Sequence, residues 1–202
     1  MDIAKRISIV IIAFVTSMNV AWAGEFLLSA EQRAILNAGE AVVVVGPDPR
    51  GAAGLIMAAI DIPVAPRQLW TTMLDCERAS QFISGLKSCR IIDRDPQGTW
   101  DVREHLVQWL WVMPTTRSEF RSEYTLDRRI SFQRTGGDLK TLEGEWRLAP
   151  VSGRNATRLT YMVRIDPGVS LPGPMVRAAI ETDLPKTLKA LRDAAVSGPT
   201  VR

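Results

Sequence analysis

Residues 176–191 read VRAAIETDLPKTLKAL, and this stretch decides the fold because it predicts a long helix with one apolar face. Spacings of four, four, four and three residues separate the apolar side chains of Val176, Ile180, Leu184, Leu188 and Leu191. A helix with this pattern buries its apolar side against another element. Pro185 removes one backbone hydrogen bond, but the pattern continues on both sides of it, so we expect the helix to bend there and not to end.

The segment before this helix predicts an antiparallel sheet with one apolar side. Alternation places aromatic and aliphatic side chains on one side of the strands and charged side chains on the other, which we expect to face water. The apolar side needs a cover, and the C-terminal helix is the long amphipathic element that supplies it. The predicted strands, separated by turn residues, are Ser88–Arg94, Thr99–Leu110, Arg117–Leu126, Arg129–Arg134, Leu139–Leu148 and Thr157–Ile165.

The strand around His105, the one histidine of the chain, has a less regular pattern. Glu104 shares a side with Leu106, whereas His105 shares the other side with Val107, so apolar residues occur on both sides and the faces stay unassigned. Alternation does separate His105 from Glu104, so these two residues do not form an adjacent acid/base pair.

Shorter elements precede the sheet. Ser29 and Gln32 form a capping-box pattern at the start of a helix, and Pro66 suits the first turn of another. Two β-branched runs on either side of a Pro/Asp/Gly turn predict a hairpin. The predicted helices are Ala30–Asn37, Pro66–Leu74 and Arg78–Ile83, and the predicted hairpin strands are Ala41–Val45 and Leu55–Ile62.

Residues 1–23 have the pattern of a secretory signal peptide. Lys5 and Arg6 precede a mostly apolar stretch, and residues 21–23 (AWA) place small side chains at both key positions of a cleavage site before Gly24. The apolar stretch is shorter than the about 20 residues of a membrane-spanning helix, and a retained anchor is the alternative interpretation. We expect an exported protein, periplasmic or secreted, with no stable membrane anchor after cleavage.

Composition excludes several classes of function. The chain has 25 Lys and Arg against 22 Asp and Glu, a net charge of +3, and like charges form no long blocks, so a nucleic-acid partner is not indicated. One histidine and two cysteines are too few ligands for a zinc site of the usual kind, and we expect no cofactor. In an exported protein, Cys76 and Cys89 favour a structural disulfide, with two buried thiols as the alternative.

At this point the sequence resembles the START-like, or SRPBCC, superfamily, in particular its polyketide cyclase/dehydrase and coenzyme-Q-binding branch. The resemblance spans about residues 55 to 195 and is carried by residues 60–70 (IDIPVAPRQLW), 74–77 (LDCE), 82–89 (FISGLKSC), 144–146 (GEW) and 160–161 (TY). It implies an α+β helix-grip fold, in which a curved antiparallel sheet wraps around a long C-terminal helix. An apolar cavity then lies between the sheet and the helix. The expected domains are a signal peptide (1–23), an N-terminal helix and extra strand (24–54), the START-like domain (55–196) and a tail (197–202).

The cavity that the resemblance implies is used across the superfamily for lipids, quinones, polyketides and aromatic compounds. We therefore expect a monomer that binds a hydrophobic small molecule, although each aromatic residue taken alone also fits an ordinary core. One alternative is a cyclase/dehydrase-like enzyme that uses His105 or Tyr124 for proton transfer, and another is a protein-interaction module with a filled cavity. No catalytic residue is predicted. The predicted ligand-binding residues are Phe120, Tyr124, Leu142, Trp146, Tyr161, Ile180, Leu184 and Leu188.

Overall fold

The structure is a computed structural model that describes residues 26–108, 115–168 and 173–198. The predicted signal peptide and the end of the predicted strand at Leu110 lie outside these residues. The helices are α1 (Ala30–Asn37), α2 (Pro66–Leu74) and α3 (Gly173–Ser197), with a short 3₁₀ turn at Ala79–Gln81. The strands are β1 (Val42–Gly46), β2 (Gly54–Ile62), β3 (Leu86–Arg94), β4 (Trp100–Val107), β5 (Thr116–Thr125), β6 (Arg129–Gly137), β7 (Thr141–Pro150) and β8 (Thr157–Asp166).

All eight strands form one antiparallel sheet in the order β1-β2-β8-β7-β6-β5-β4-β3. Strands β3 to β8 form a meander, in which each strand pairs with the next one along the chain. The hairpin of β1 and β2 extends the same sheet, because β2 pairs with β8. The two outermost strands are β1 and β3. The pairing of β3 with β4 contains two register shifts, one between Leu86 and Ser88 and one between Ile91 and Asp93.

The long helix α3 lies on one side of this sheet, which we call the inner face. It contacts β1, β2, α2 and the 3₁₀ turn. Its C-terminal half is held most tightly, because Leu188, Leu191 and Ala195 are buried in the main core and Gln68 of α2 donates a hydrogen bond of 2.8 Å to the Ala195 carbonyl. In the N-terminal half, Ile180 and Leu184 are only half-buried. The curved sheet around a long C-terminal helix confirms the predicted helix-grip fold.

The opposite, outer face is covered at one edge by the N-terminal segment. Leu36 of α1 packs with Val42 and Ala59 in a second, smaller core, against which Phe26 and Leu28 also pack. The α1 helix begins with the predicted capping box, since both hydrogen bonds between Ser29 and Gln32 are present. The residues before β1 therefore shield the outer side of the β1–β2 hairpin from water.

Two expectations about the outer face and the connections need correction. Charged residues of β7 and β8 do point outward, but Glu145 and Arg164 are buried and do not face open water. Arg164 is enclosed because Asp48, in the β1–β2 loop, and Glu143 both pair with its guanidinium. The predicted helix at Arg78–Ile83 is only the 3₁₀ turn at Ala79–Gln81.

Two further predictions about the chain are met. α3 continues through Pro185 without interruption, as the apolar spacing predicts. Cys76, just after α2, and Cys89, in β3, form a disulfide with a Cα–Cα distance of 5.5 Å, which ties the end of α2 to the sheet. Within the described residues, none of the helices combines the length and apolar character needed to cross a membrane.

Candidate functional site

The inner face of the sheet carries a continuous series of rings, which we call the aromatic row. It consists of His105, Phe120, Phe132, Tyr161 and Trp146, one residue from each of the strands β4 to β8. Ring centroids are 4.9 Å apart for His105 and Phe120, 6.1 Å for Phe120 and Phe132, and 6.2 Å for Phe132 and Tyr161. Tyr161 and Trp146 stack at 3.8 Å with an interplanar angle of 17°. The row therefore crosses five neighbouring strands and presents apolar surface along the sheet.

A glycine makes room for the middle of the row. Gly144 lies opposite Phe132 on one side and opposite Val163 on the other. A Cβ atom at this position would lie 2.8 Å from the Phe132 ring and 2.2 Å from the Met162 carbonyl oxygen. Only glycine thus lets the Phe132 ring lie against the backbone of β7.

The eight predicted ligand-binding residues are distributed between this surface and the core. Phe120, Trp146 and Tyr161 belong to the aromatic row, and all three are half-buried. Leu188 is buried in the core, and four of the others pack against that core: Tyr124, Trp146, Tyr161 and Leu184. Leu142 and Ile180 are half-buried, and neither is part of the main core cluster.

A buried polar cluster lies on the same face beside the row. Asp101 and Arg103 are only 5% and 7% exposed, and the Arg103 Nε donates to both carboxylate oxygens of Asp101 at 3.1 and 2.9 Å. A second nitrogen of the guanidinium donates to the Leu74 carbonyl at 3.2 Å and approaches the Tyr124 hydroxyl at 3.3 Å. Because the ion pair is satisfied internally, the polar cluster of Asp101, Arg103 and Tyr124 carries no net charge.

The register assigns the faces of β4 that its sequence pattern leaves open. His105 lies opposite Ser118 and Cys89, on the inner face, whereas Glu104 lies on the outer face and pairs with Arg90 and Arg117. The separation of His105 from Glu104 is therefore confirmed.

His105 and the two tyrosines are neutral in the folded protein at neutral pH. Burial, aided by the nearby Arg103 charge, lowers the pKa of His105 to about 4. Burial also raises the pKa of Tyr124 and of Tyr161 above the ordinary value, so both hydroxyls stay protonated. The buried His105 Nε2 has no hydrogen-bond partner among the described residues. The inner face thus offers apolar rings and a few uncharged polar atoms, a composition typical of small-molecule sites.

Sequence reasoning missed Phe132, Asp101 and Arg103. Phe132 belongs to a predicted strand, and its spacing of two from the buried Ile130 is the signal that places it on the inner face. Charged residues such as Asp101 and Arg103 are expected in water, and only their spacing of two along one strand indicates that they share a face.

Comparison with known proteins agrees with this architecture. A family model described as polyketide cyclase / dehydrase and lipid transport matches residues 62–192, which is more than half of the chain. No match was found among the curated proteins.

Solved structures with the same fold come from diverse sources. A STAR-related lipid transfer protein from Xanthomonas axonopodis is 15% identical, with a TM-score of 0.65 over 78% of this chain and 94% of that one. Human STARD10 is 14% identical, with a TM-score of 0.62 over 78% of this chain and 70% of that one. The Zhui aromatase/cyclase from a Streptomyces species is 15% identical, with a TM-score of 0.56 over 70% of this chain and 93% of that one.

Identities this low establish the fold alone, whereas the family match rests on the sequence itself. The matched segment runs from the end of β2 to the C-terminal half of α3, so it contains the aromatic row and the polar cluster. The chain therefore belongs to the polyketide cyclase/dehydrase and lipid transport family of the START-like superfamily.

Proposed function

We propose that this protein binds a lipophilic small molecule, such as a lipid, a quinone or a polyketide-like compound, between the aromatic row and the N-terminal half of α3. The observation that carries the proposal is the aromatic row itself, which is half-buried and lies on the same side of the sheet as α3, whose Ile180 and Leu184 are also half-buried. A surface used only for core packing would bury its rings and leave no apolar area for a ligand.

Hydrophobic contact suffices for binding at such a surface. A ligand that buries about 300 Å² of apolar area gains roughly 7 kcal/mol, against at least about 4 kcal/mol for lost freedom on association. Weak to moderate affinity is therefore expected without an ion pair, and shape and hydrophobicity govern the choice of ligand. The neutral polar cluster and the His105 Nε2, which has no partner within the described part of the chain, favour a ligand that carries one uncharged polar group.

We also propose that the protein is exported and acts as a monomeric carrier or sensor. The Cys76–Cys89 disulfide supports export, because disulfides persist in oxidising compartments. The mature chain is expected to begin at Gly24, and N-terminal sequencing of exported material tests this. Recovery of Met1 in a membrane fraction would contradict cleavage.

Titration with a lipophilic fluorescent probe tests the binding site. Trp146→Ala removes the ring stacked on Tyr161, and we expect it to weaken probe binding by about tenfold. Leu184→Trp adds bulk to the half-buried part of α3, and we expect it to block binding without loss of fold.

Arg121→Ala is the matched control, since Arg121 lies on the outer face, where its guanidinium packs over Trp100 at 3.9 Å. Circular dichroism verifies that each variant is folded. If folded Leu184→Trp protein binds the probe as well as the wild type while Arg121→Ala does not, the assignment to the inner face is wrong.

A second candidate function is a cyclase/dehydrase-like enzyme acting on an aromatic or polyketide substrate. The observation that favours it is His105, whose Nε2 lies buried on the aromatic row. The imidazole is neutral at neutral pH, so one of its two ring nitrogens carries no proton and can accept one. Turnover of a candidate substrate that His105→Gln abolishes, with probe binding retained, would support the enzyme over the carrier.

A further inference from the structure

A second recess, remote from the aromatic row, opens where the N-terminal segment meets the end of the sheet. Its volume is about 410 Å³, within the range of ligand pockets. Four elements form it: the end of α1, the end of β2, the β7–β8 turn and α3. Its apolar wall includes the exposed ring of Pro63 and the half-buried Ala156, and two arginines, Arg154 and Arg192, line the rest.

The first arginine, Arg154, is partly exposed and belongs to a cluster around the buried Asp61 that has an excess of positive charge. Asp61 is 4% exposed, and Arg158 donates to both of its carboxylate oxygens at 2.8 and 3.0 Å. Arg154 donates to the same carboxylate at 2.6 Å. One carboxylate therefore faces two guanidiniums, and one positive charge stays uncompensated within this group.

The second arginine is also only weakly neutralised. Arg192 donates to the Gly39 carbonyl at 2.7 Å, which supplies a hydrogen bond but no countercharge. Its ion-pair partner, Asp193, is 71% exposed and lies 3.3 Å from the Arg192 Nε, so solvent screens that pair strongly. The Glu40 carboxylate also interacts with the Arg192 charge, but Glu40 is 56% exposed and pairs with Lys189 at 2.5 Å. The recess thus combines an apolar wall with a positive potential.

We propose that this recess binds a small amphipathic carboxylate, whose anionic group pairs with Arg154 and Arg192 while its apolar body packs against Pro63 and Ala156. Guanidinium groups fit carboxylates through paired N–H donors, and they keep their charge when partly buried. The inference does not depend on the function proposed above, because the recess shares no lining residue with the aromatic row. Part of its wall comes from α1, which precedes the segment that the family model matches.

Titration of the ¹⁵N-labelled full chain with hexanoate, followed by backbone amide chemical shifts, tests this site. We expect saturable shifts at Gly39, Asn155 and Ala156, and Arg192→Gln is expected to weaken hexanoate binding at least about tenfold. Arg177→Gln is the matched control, because Arg177 is another α3 arginine that donates to a backbone carbonyl, that of Val45. Equal weakening by both substitutions would overturn the proposal.

Three further measurements distinguish this recess from the inner face of the sheet and keep the test valid if one variant misfolds. Arg154→Gln is a second variant, expected to weaken binding like Arg192→Gln. Hexanol, the uncharged counterpart, should bind at least about tenfold more weakly than hexanoate, and equal affinity would refute a charge-selected site. Leu184→Trp should leave the hexanoate shifts unchanged, whereas their loss would assign hexanoate to the inner face and overturn this proposal without affecting the first.

Discussion

Replacing His105 with glutamine is expected to remove most of the pH dependence of stability between pH 7 and pH 5. The pKa of His105 is about 4 in the folded protein, against an ordinary value of 6.5. As the pH falls, the unfolded chain therefore binds a proton before the folded protein does, and stability is lost. This protonation costs little stability above about pH 6.5, and the loss grows as the pH falls towards about 4.

The size of this effect follows from the two pKa values. The gap between 6.5 and about 4 corresponds to about 3 kcal/mol of unfolding free energy in total. About 2 kcal/mol of this amount is lost between pH 7 and pH 5. His105 is the one histidine of the chain, so its side chain dominates titration in this interval.

Urea unfolding followed by tryptophan fluorescence at both pH values measures the effect. The wild type should lose about 2 kcal/mol on going from pH 7 to pH 5, and His105→Gln should lose well under half of that. The substitution also changes the ring contact with Phe120, so the comparison uses the difference between the two pH values for each protein and not the absolute stabilities. Equal losses in the two proteins would refute the argument that His105 is neutral because it is buried.

The remaining predictions concern the disulfide and the polar cluster. Thiol titration of denatured, non-reduced protein should find no free thiol, and Cys76→Ser combined with Cys89→Ser should lower the unfolding free energy by about 3 kcal/mol in the chain-entropy model; two titratable thiols would rule the bridge out. Arg103→Leu should destabilise the protein by about 3 to 5 kcal/mol because it leaves the Asp101 carboxylate buried without its partner. Adding Asp101→Leu should recover at least half of that loss in the same urea assay, and a double variant as unstable as the single one would show that the buried charge is not the cause.

Local signals predicted the elements whose ends they mark. The capping box at Ser29 and the proline at position 66 mark where α1 and α2 begin, because each acts within the first turn of its helix, and both helices span the predicted residues. The regular apolar spacing of α3 predicted a helix that passes through Pro185. These features need no information about distant parts of the chain.

The sequence could not show which side chains of β4 point inward, because its inner residues are stabilised by partners that are distant in the sequence. Asp101 and Arg103 are charged, and the groups that allow Arg103 to be buried include the Leu74 carbonyl and the Tyr124 hydroxyl, 29 and 21 positions away. The enclosure of Arg164 by Asp48 spans 116 positions. No pattern along one strand contains such contacts.

Three residues of the aromatic row could also be predicted from the sequence. Alternation along β5, β7 and β8 predicted the inner-face positions of Phe120, Trp146 and Tyr161. The place of Phe132 depends on Gly144 lying directly opposite it, and cross-strand register is not visible in a single sequence without the fold.

Strand β3 forms one edge of the sheet, where strands of other chains could pair with it. Among the described strands β3 pairs only with β4, so its free edge offers backbone hydrogen-bonding groups that another strand could extend into a larger aggregate. Two register shifts interrupt that edge, and the exposed Lys87 and Arg94 add positive charges that an incoming strand would have to desolvate. The edge is therefore a poor template for intermolecular strand addition, and the disulfide at Cys89 fixes the same strand to α2.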